Sequence, residues 1–344
     1  MKVLVTGAAG LVGFHACEFF INRGDEIVAV DNNMRKQLFG NGGDTSPNAQ
    51  LLRKRYGIMV LDVDIRSESM PNLIEGCNLI IHCASQPSHP QSLEIPVVDA
   101  DINVRGTLNI LEGTRQRAKD AVVIFCSTNK VYGENVHKLP VHEEKTRYCY
   151  DDGVEGVDET TPVDQTVHTP FGVSKLAADL YCQEYARTYG LKTGIFRLSC
   201  ITGPRARAVE AQNWEPYFIA KNMRHERLRI FGYKGKQVRD IIDARDLVQA
   251  FAYFASSPRP GAVYNLGGGT SNSISLLESM ELIESMTGNR FDYVFAPKRE
   301  GDHMIYITNF RKFTKDYPSW SVRYGLRAIF SDLYDECLRG ELCA

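Results

Sequence analysis

The chain has 344 residues, 43% of them hydrophobic and 24% charged, a composition typical of an ordinary globular protein. Its formal net charge of −2 and its pI near 6.5 exclude the strong positive field of a nucleic-acid or anionic-membrane binder. No apolar run approaches the roughly eighteen consecutive residues that a membrane span requires.

The N-terminus and the cysteines predict a cytoplasmic protein. The opening "MKVLVTGAAG" has a short apolar run that leads into a glycine loop and not into a secretory cleavage site. The nine cysteines form no C-x-x-C pair and mostly lie in apolar runs, as reduced core cysteines do. The eight histidines are scattered without zinc-ligand spacing, so we expect no metal site.

Short β-rich runs alternate with helical patterns over residues 1–200. The predicted strands are "KVLVT", "EIVAV", "IMVL", "LIIHC", "AVVIFCS" and "KTGIFRL", with helices between them that include 11–23 and 97–117. This alternation predicts an α/β fold, a doubly wound parallel sheet covered on both faces. Ligands of such sheets bind at the carboxyl ends of the strands.

The pattern changes after "ITGPR" at 201–205, where helices separated by short strands are predicted at 214–224, 246–255, 275–287 and 324–338. We expect a smaller C-terminal α/β lid, and we divide the chain into domains at 1–200 and 201–344 with some chain crossing between them. Residues 134–167 form a long polar connection. A connection of this length in a compact domain is usually functional.

A glycine loop follows the first predicted strand. The run "LVTGAAGLVGF" places Gly7, Gly10 and Gly13 between that strand and a helix, and Asp31 ends the next strand. Such glycines let the backbone approach a pyrophosphate, and the helix N-terminus supplies N–H donors. A carboxylate at position 31 accepts hydrogen bonds from an adenosine ribose and repels a 2′-phosphate, which favours NAD. The predicted cofactor contacts are Gly7, Gly10, Leu11, Val12, Gly13, Asp31, Asn32, Asp64, Ile65, Ala84 and Ser85, although a plain strand end is the alternative for the last two.

Two further stretches, "CSTNKVYG" at 126–133 and "PFGVSK" at 170–175, complete a set of motifs. The set resembles the extended short-chain dehydrogenase/reductase family, whose motifs are TGxxGxxG, a Ser or Thr at the exit of the fifth strand, and YxxxK on the next helix. The resemblance covers nearly the whole chain and implies a Rossmann-type sheet, NAD as cofactor and a homodimer with a four-helix contact. It assigns Thr128 to the reacting sugar oxygen, and Lys175 to the nicotinamide ribose and to lowering the pKa of the phenol.

Phe171 stands at the tyrosine position of that motif, one helical turn before Lys175. Phenylalanine cannot accept a proton, and loss of a general base costs roughly 10²–10⁴ in rate. The chain is therefore either a natural non-catalytic relative or a variant in which Tyr→Phe was introduced to trap unreacted substrate. Because Thr128, Lys175, Asp31 and the three glycines all remain, we favour the trapping variant.

The residues after Thr128 reduce the number of reactions that we expect the chain to catalyse. The sugar-nucleotide 4,6-dehydratases carry an Asp–Glu pair there, and Asn129 and Lys130 cannot take the roles of that pair in water loss. "STNKVYG", "TRYCYDDGVEGVDETT" and "AQNW" resemble the CDP-paratose 2-epimerase branch more than the UDP-galactose 4-epimerases. The branch implies hydride removal from sugar C2, a 2-keto intermediate and return of the hydride to the opposite face. The expected partner is a CDP-sugar.

The same resemblance supplies the substrate contacts. Arg239 and Arg299 are assigned to the diphosphate because a planar guanidinium engages two oxygens at once. Arg205 is placed near the nucleoside, and Ser199 and Cys200 along the passage to the nucleotide-sugar. Asn129 and Thr128 complete the predicted substrate contacts. A surface salt bridge is the alternative role for each arginine.

Several residues near these motifs are assigned structural roles. Asp240, Asp243 and Asp246 are expected to support the fold, with Asp243 as a helix N-cap. Asn103 resembles the buried asparagine that the family carries on its fourth helix. We expect Thr169 to cap the catalytic helix with Pro170 in its first turn, and His168 to be a hydrogen-bonded structural imidazole.

Two rival functions stay open on the sequence alone. One is an epimerase or reductase that acts at C4 of a UDP- or dTDP-sugar. The other is a catalytically silent protein that binds NAD as a sensor or a scaffold.

Overall fold

The structure is a computed structural model, and it describes residues 1–210 and 212–340. The strands, in chain order, are β1 (Lys2–Thr6), β2 (Glu26–Val30), β3 (Val60–Leu61), β4 (Leu79–His82), β5 (Val122–Thr128), β6 (Val141–Glu143), β7 (Tyr148–Tyr150), β8 (Lys192–Leu198), β9 (Cys200–Thr202), β10 (Leu228–Phe231), β11 (Val238–Asp243), β12 (Ala262–Leu266), β13 (Ser273–Ser275), β14 (Tyr293–Ala296) and β15 (Ile305–Tyr306).

Most of the helices lie in the connections between these strands. They are α1 (Leu11–Asn22), α2 (Met34–Phe39), α3 (Ser46–Tyr56), α4 (Met70–Ile74), α5 (His89–Ser92), α6 (Pro96–Ala100), α7 (Gly106–Arg117), α8 (Pro170–Tyr189), α9 (Trp214–Met223), α10 (Ala244–Ser256), α11 (Leu276–Thr287), α12 (Arg311–Asp316) and α13 (Leu326–Leu338). Short 3-10 segments cover Gly40–Gly43, Asn129–Lys138, Tyr233–Gly235 and Thr270–Asn272, and a π-helical turn covers Asp101–Arg105. Among the described residues, no helix is both long and apolar enough to cross a bilayer.

The main layer is a seven-stranded parallel sheet in the order β12-β8-β5-β4-β1-β2-β3. This arrangement confirms the predicted α/β fold class. The central strands β1 and β4 are almost wholly buried, which is why they are continuous apolar runs without alternation. From β1 the chain adds strands on one side up to β3 and then on the other side from β4. The crevice at the carboxyl ends of β1 and β4 is therefore the topological switch point, where ligands of such sheets bind.

Segments after residue 200 return to the main layer. Strand β12 pairs with β8, and helix α10 packs against α1. The remaining C-terminal elements form a lid in which β11 pairs with β9, β13 and β15, while β10 pairs with β14. Helices α9, α11 and α13 cover the lid around a second apolar core that includes Phe218, Ile283 and Phe330.

Three predicted elements differ in detail. The predicted strand "IMVL" is reduced to Val60–Leu61 at the sheet edge, where only β2 is available for pairing. The predicted helix 97–117 is observed as α6 and α7 joined through the π turn, which carries Asn103. The polar connection 134–167 contains the antiparallel hairpin β6–β7, which the sequence pattern did not predict.

Candidate active site

Two adjoining cavities lie at the switch point. The first, of about 370 Å³, runs along the carboxyl ends of the central strands, and we name it the cofactor compartment. The second, of about 230 Å³, extends between the main layer and the lid, and we name it the lid compartment. They share the border residues Pro87, His89, Asn129, Lys130, Ser199, Cys200, Gln212, Asn213 and Trp214.

Most of the predicted site residues line these cavities. The cofactor compartment brings together Gly7, Gly10, Leu11, Val12, Gly13, Asp31, Asn32, Asp64, Ile65, Ala84, Ser85, Thr128, Asn129, Phe171, Lys175, Ser199 and Cys200. The lid compartment adds Arg239 and Arg299. Arg205 is absent from the described residues that line either compartment.

The glycine loop is shaped by close backbone packing. Gly7 has a φ of +68°, and a Cβ there would lie 2.9 Å from the Ala84 nitrogen. A Cβ at Gly13 would lie 2.0 Å from the Gly7 carbonyl oxygen, so only glycine lets helix α1 start this close to β1. The loop therefore presents backbone and the N-terminus of α1 to the cavity, which suits an anionic diphosphate.

Asp31 is held rigidly at the end of β2. Its carboxylate accepts hydrogen bonds from the backbone N–H groups of Ala9, at 3.0 Å, and Asn33, at 2.8 Å. Burial raises the pKa of Asp31, and these backbone donors oppose that rise. The carboxylate lines the cavity beside the glycine loop, which is where an adenosine ribose of NAD would be held.

A second carboxylate, that of Asp64, lines the cofactor compartment near Asn32. Asp64 is paired with Arg66, with 2.7 Å between Oδ2 and Nη2, and it also accepts a hydrogen bond from the side chain of Asn32 at 3.1 Å. These contacts orient Asp64 and Asn32 at the cavity wall, next to the buried side chain of Ile65.

Thr128, Phe171 and Lys175 all line the cofactor compartment. The hydroxyl of Thr128 ends β5 and accepts a hydrogen bond from the backbone N–H of Lys130. Phe171 is 8% exposed and lies in the first turn of α8. The Nζ of Lys175 lies 4.2 Å from the centroid of the Phe125 ring, and burial lowers the pKa of Lys175. The cation thus lies against the face of the Phe125 ring, one helical turn after Phe171.

Helix α8 begins as predicted. Thr169 is its N-cap and accepts a hydrogen bond from the N–H of Gly172 at 3.4 Å, with Pro170 as the first helical residue. His168 has its Nε2 within 2.9 Å of the Val131 carbonyl oxygen, the contact expected of a structural imidazole. It is not among the described residues that line either compartment.

Buried polar contacts support the catalytic helix from behind. Asn103 donates from Nδ2 to Ser174 Oγ at 3.0 Å and accepts from the Gln86 N–H at 2.9 Å. Ser174 also donates to Asp99. Because Ser174 lies between Phe171 and Lys175 in the sequence, this network fixes the turn that presents both side chains.

The lid arginines differ in their contacts. Arg239 donates to the His303 carbonyl at 2.7 Å, and the guanidinium carbon of Arg299 lies 3.7 Å from the centroid of the Phe231 ring. Both line the lid compartment. Arg205 is paired instead with Glu336, with 2.9 Å between Nη2 and Oε1, so the predicted place beside the nucleoside is not supported by this geometry.

The three lid aspartates are structural, as predicted. Asp243 is the N-cap of α10 and accepts from the N–H of Arg245 at 2.8 Å. Asp240 accepts from the N–H of Gly269 at 3.0 Å, and Asp246 accepts from the N–H of Tyr324 at 3.0 Å. All three are buried.

Sequence reasoning missed or set aside three groups of the joined cavity, two at the border of the compartments (Lys130 and His89) and one in the cofactor compartment (Glu215). Lys130 is partly buried, and this burial lowers its pKa to about 8. His89 also lies at the border, and burial lowers its pKa to about 2. Glu215 is 1% exposed, and burial raises its pKa to about 8. Each has an ordinary local sequence, and only the fold brings them to one cavity.

One group of possible metal ligands lies outside both compartments. His142, Glu144 and Cys149 on the hairpin β6–β7 have ligand atoms within 4.8 Å of one another. Two of the three side chains are exposed. Clusters of this kind are common on protein surfaces, and we assign no metal to it.

The chain belongs to the NAD dependent epimerase/dehydratase family, whose sequence profile matches residues 3–267. It is therefore a Rossmann-fold nucleotide-sugar enzyme of the extended short-chain type, and its cofactor is NAD. The glycine loop, the oriented carboxylate of Asp31 and the buried ammonium of Lys175 all fit that cofactor.

Named relatives extend this likeness. The chain is 33% identical to the CDP-paratose 2-epimerase of Salmonella typhi, over 97% of this chain and 98% of that protein. It is 30% identical to a putative UDP-glucose 4-epimerase of Methanocaldococcus jannaschii, over 89% of each chain. Among solved structures, the UDP-glucose 4-epimerase of Thermotoga maritima with UDP-glucose superposes with a TM-score of 0.81 at 26% identity, covering 99% of both chains. The UDP-glucose 4-epimerase of Thermus thermophilus with NAD gives 0.80 at 26% identity, also covering 99% of both chains.

Proposed function

We propose that the protein is an NAD-dependent epimerase acting at C2 of a CDP-hexose, with CDP-paratose as the first substrate to test. The observation that carries the proposal is the joined cavity, in which the NAD loop, the pair Thr128 and Lys175, and the arginines Arg239 and Arg299 follow one another. Such an order matches a cofactor, a reacting sugar and a diphosphate laid end to end.

Each group has a distinct task in this proposal. Lys175 holds the nicotinamide ribose, and the Thr128 hydroxyl donates a hydrogen bond to the reacting sugar oxygen. Arg239 and Arg299 bind the diphosphate, because a guanidinium pairs with two phosphate oxygens at once. NAD held there by the glycine loop, Asp31 and Lys175 would supply hydride removal from the sugar carbon and hydride return to the opposite face.

In this proposal, turnover is slow because Phe171 stands where the general base is expected. The Phe171 ring lines the same compartment as Thr128 and Lys175 but offers no atom that accepts the hydroxyl proton. General-base catalysis contributes roughly 10²–10⁴ in rate, so we expect binding to be kept and turnover to be weak. This outcome fits a variant that traps its substrate, the explanation that we favour for Phe171.

The choice of cytidine rests on likeness to the relative named CDP-paratose 2-epimerase, and a UDP- or dTDP-sugar C4 enzyme is the second candidate because other relatives are named UDP-glucose 4-epimerases. Titration calorimetry with CDP, UDP and dTDP in the presence of NAD separates the two. We expect CDP to bind most tightly. Preference for UDP or dTDP would replace the C2 assignment with C4 chemistry, and binding of NAD without any nucleotide would indicate a silent sensor or scaffold.

Product analysis tests the reaction itself. We expect Phe171→Tyr, incubated with CDP-paratose, to give CDP-tyvelose by inversion at C2 in proton NMR spectra. UDP-glucose serves as the matched C4 substrate. Conversion of UDP-glucose but not of CDP-paratose would overturn the assignment.

A homodimer through α6 and α8 is part of the proposal. These neighbouring helices expose large apolar side chains, among them Val97 at 79%, Val173 at 55% and Leu180 at 50%. Exposed apolar patches of this kind mark interfaces. Sedimentation velocity should show a dimer that Leu180→Glu converts to monomer, whereas Met59→Glu, at an exposed residue by β3, should leave it intact. An unchanged Leu180→Glu dimer would place the interface elsewhere.

The proposed compartment is the cytoplasm. The eight cysteines within the described residues form no disulfide, as is usual for proteins kept under reducing conditions. Cys343, the ninth, lies outside the described residues.

A further inference from the structure

Lys130 occupies a central place in the joined cavity. It follows Thr128 by two residues and lines both compartments. Its backbone packs against the first turn of α8, since a Cβ at Gly172 would lie 2.8 Å from the Lys130 carbonyl oxygen. The lysine is therefore fixed between the hydroxyl of Thr128 and the helical turn that carries Phe171.

The side chain of Lys130 is partly buried and has a defined orientation. Its Nζ donates a hydrogen bond to the carbonyl oxygen of Gly301 at 2.8 Å. One N–H is enough for that bond, so a neutral amine keeps its lone pair for another partner. The bond thus anchors the amine at the wall of the cavity without using up its capacity to accept a proton.

Other candidates for moving a proton fit less well. The imidazole of His168 faces the Val131 carbonyl and is absent from the described lining of both compartments. His89 lines the border, but burial lowers its pKa to about 2, which makes it a very weak base. A useful general base has a pKa close to the working pH.

We propose that Lys130 is the acid–base group that carries the residual epimerisation of this chain, in place of the phenol missing at position 171. This inference rests on the proposed function. The neutral amine takes the proton of the sugar hydroxyl while the O–H bond breaks, the carbon–oxygen double bond forms and the hydride passes to NAD. On return, the hydride reduces the ketone and the ammonium gives its proton back to the oxygen, so the enzyme ends unchanged.

The charges around Lys130 are compatible with a neutral amine near pH 8. Burial is the main reason that the pKa of Lys130 falls to about 8, and the neighbouring cations Arg239 and Lys298 lower it further. Asp302 and Cys200 raise it in part. Three histidines also face it, His89, His137 and His303, and the pKa of each is lowered by burial and by the surrounding cations, so they stay uncharged. Activity of the chain should therefore rise with pH through about 8.

Variants of Lys130 in two backgrounds test the proposal, with CDP-paratose as substrate and NMR as readout. With Phe171 present, Lys130→Gln and Lys130→Arg should each lower the rate roughly a hundredfold or more, since arginine keeps the charge but does not release its proton. With Phe171→Tyr present, the same changes should lower it less than about tenfold, because the phenol then moves the proton. Lys138→Gln, at an exposed lysine of the same 3-10 segment, is the matched control.

The results separate this inference from the proposed function. An inactive Phe171→Tyr form would mean that the proposed function fails, whatever Lys130 does. If Phe171→Tyr is active, equal losses in both backgrounds together with weaker CDP binding by calorimetry would make Lys130 a substrate-binding residue and overturn the inference. Full activity of Lys130→Arg, or a pH profile without the rise near 8, would also overturn the inference.

Discussion

The two compartments are built in different ways. The glycine-loop wall of the cofactor compartment is made of backbone and small residues from one short sequence, with Gly7 and Gly13 in places where a Cβ would collide with backbone. The lid compartment is made of long side chains from separate segments, such as Tyr217, Phe231, Arg239 and Arg299. The first therefore follows from local geometry, whereas the second depends on the packing of the whole lid. We expect substitutions to affect the binding of one ligand at a time.

Gly13→Ala is expected to give the largest difference between the loss of NAD affinity and the loss of CDP affinity. The added Cβ would lie 2.0 Å from the Gly7 carbonyl oxygen, so the start of α1 must move. Because the N–H donors of the displaced turn no longer face the diphosphate, we expect NAD to bind roughly a hundredfold more weakly, a difference of about 3 kcal/mol in binding free energy. Calorimetry should show CDP binding within about threefold of the parent chain.

A matched glycine provides the control for that measurement. A Cβ at Gly325 would meet nothing closer than 4.0 Å, so Gly325→Ala should leave NAD affinity unchanged. Equal losses of NAD and CDP affinity in Gly13→Ala would show that the compartments are coupled and would contradict the comparison.

Arg299→Ala tests the lid compartment in the same way, because it should weaken CDP binding and leave NAD binding unchanged. The guanidinium lines the lid compartment and stacks on Phe231. A hydrogen bond to a charged group contributes about 2 kcal/mol, so we expect CDP to bind roughly thirtyfold more weakly while NAD affinity stays the same. Arg227→Ala, at an exposed arginine paired with Asp292, is the control and should change neither affinity. Unchanged CDP binding in Arg299→Ala would remove this arginine from the diphosphate site.

Glu215 gives a pH-dependent test at the wall of the cofactor compartment. Its folded-state pKa of about 8 lies above the ordinary glutamate value of 4.5, and its Oε1 has no hydrogen-bond partner among the described residues. The folded state therefore binds more protons between these two values, and the free energy of unfolding should fall by up to about 1.4 kcal/mol per pH unit as pH rises between them. Glu215→Gln should flatten this slope, so its advantage over the parent chain in urea denaturation grows from pH 5 to pH 8. Parallel slopes for the two proteins would show that Glu215 does not titrate in this range.

The sequence predicted the cofactor side of the site better than the lid side. Gly7, Gly13 and Asp31 lie within about one βαβ unit, where local spacing determines geometry, and they line the cavity. The pairing of Arg205 with Glu336 could not be predicted, because it joins residues far apart in the chain. Lys130 and Glu215 were missed or set aside because their shifted pKa values arise from burial, which no local pattern reveals.

In the fold, too, local patterns predicted some features, whereas others depend on contacts between distant segments. The alternation of strands and helices predicted the parallel sheet, because each element buries an apolar face with its own period. The return of β12 to the sheet beside β8 and the hairpin β6–β7 depend on tertiary pairing between separate segments. The π turn around Asn103 is likewise set by contacts with Gln86 and Ser174 and not by helix propensity.

The function that we propose requires a C2-epimerase site that is complete except for one oxygen atom at position 171. The most direct measurement compares the Phe171 chain with Phe171→Tyr, each incubated with CDP-paratose and followed by proton NMR for inversion at C2. The account predicts that both bind CDP equally and that the tyrosine form converts the substrate roughly 10²–10⁴ times faster. Equal rates, or no conversion by either form, would contradict it.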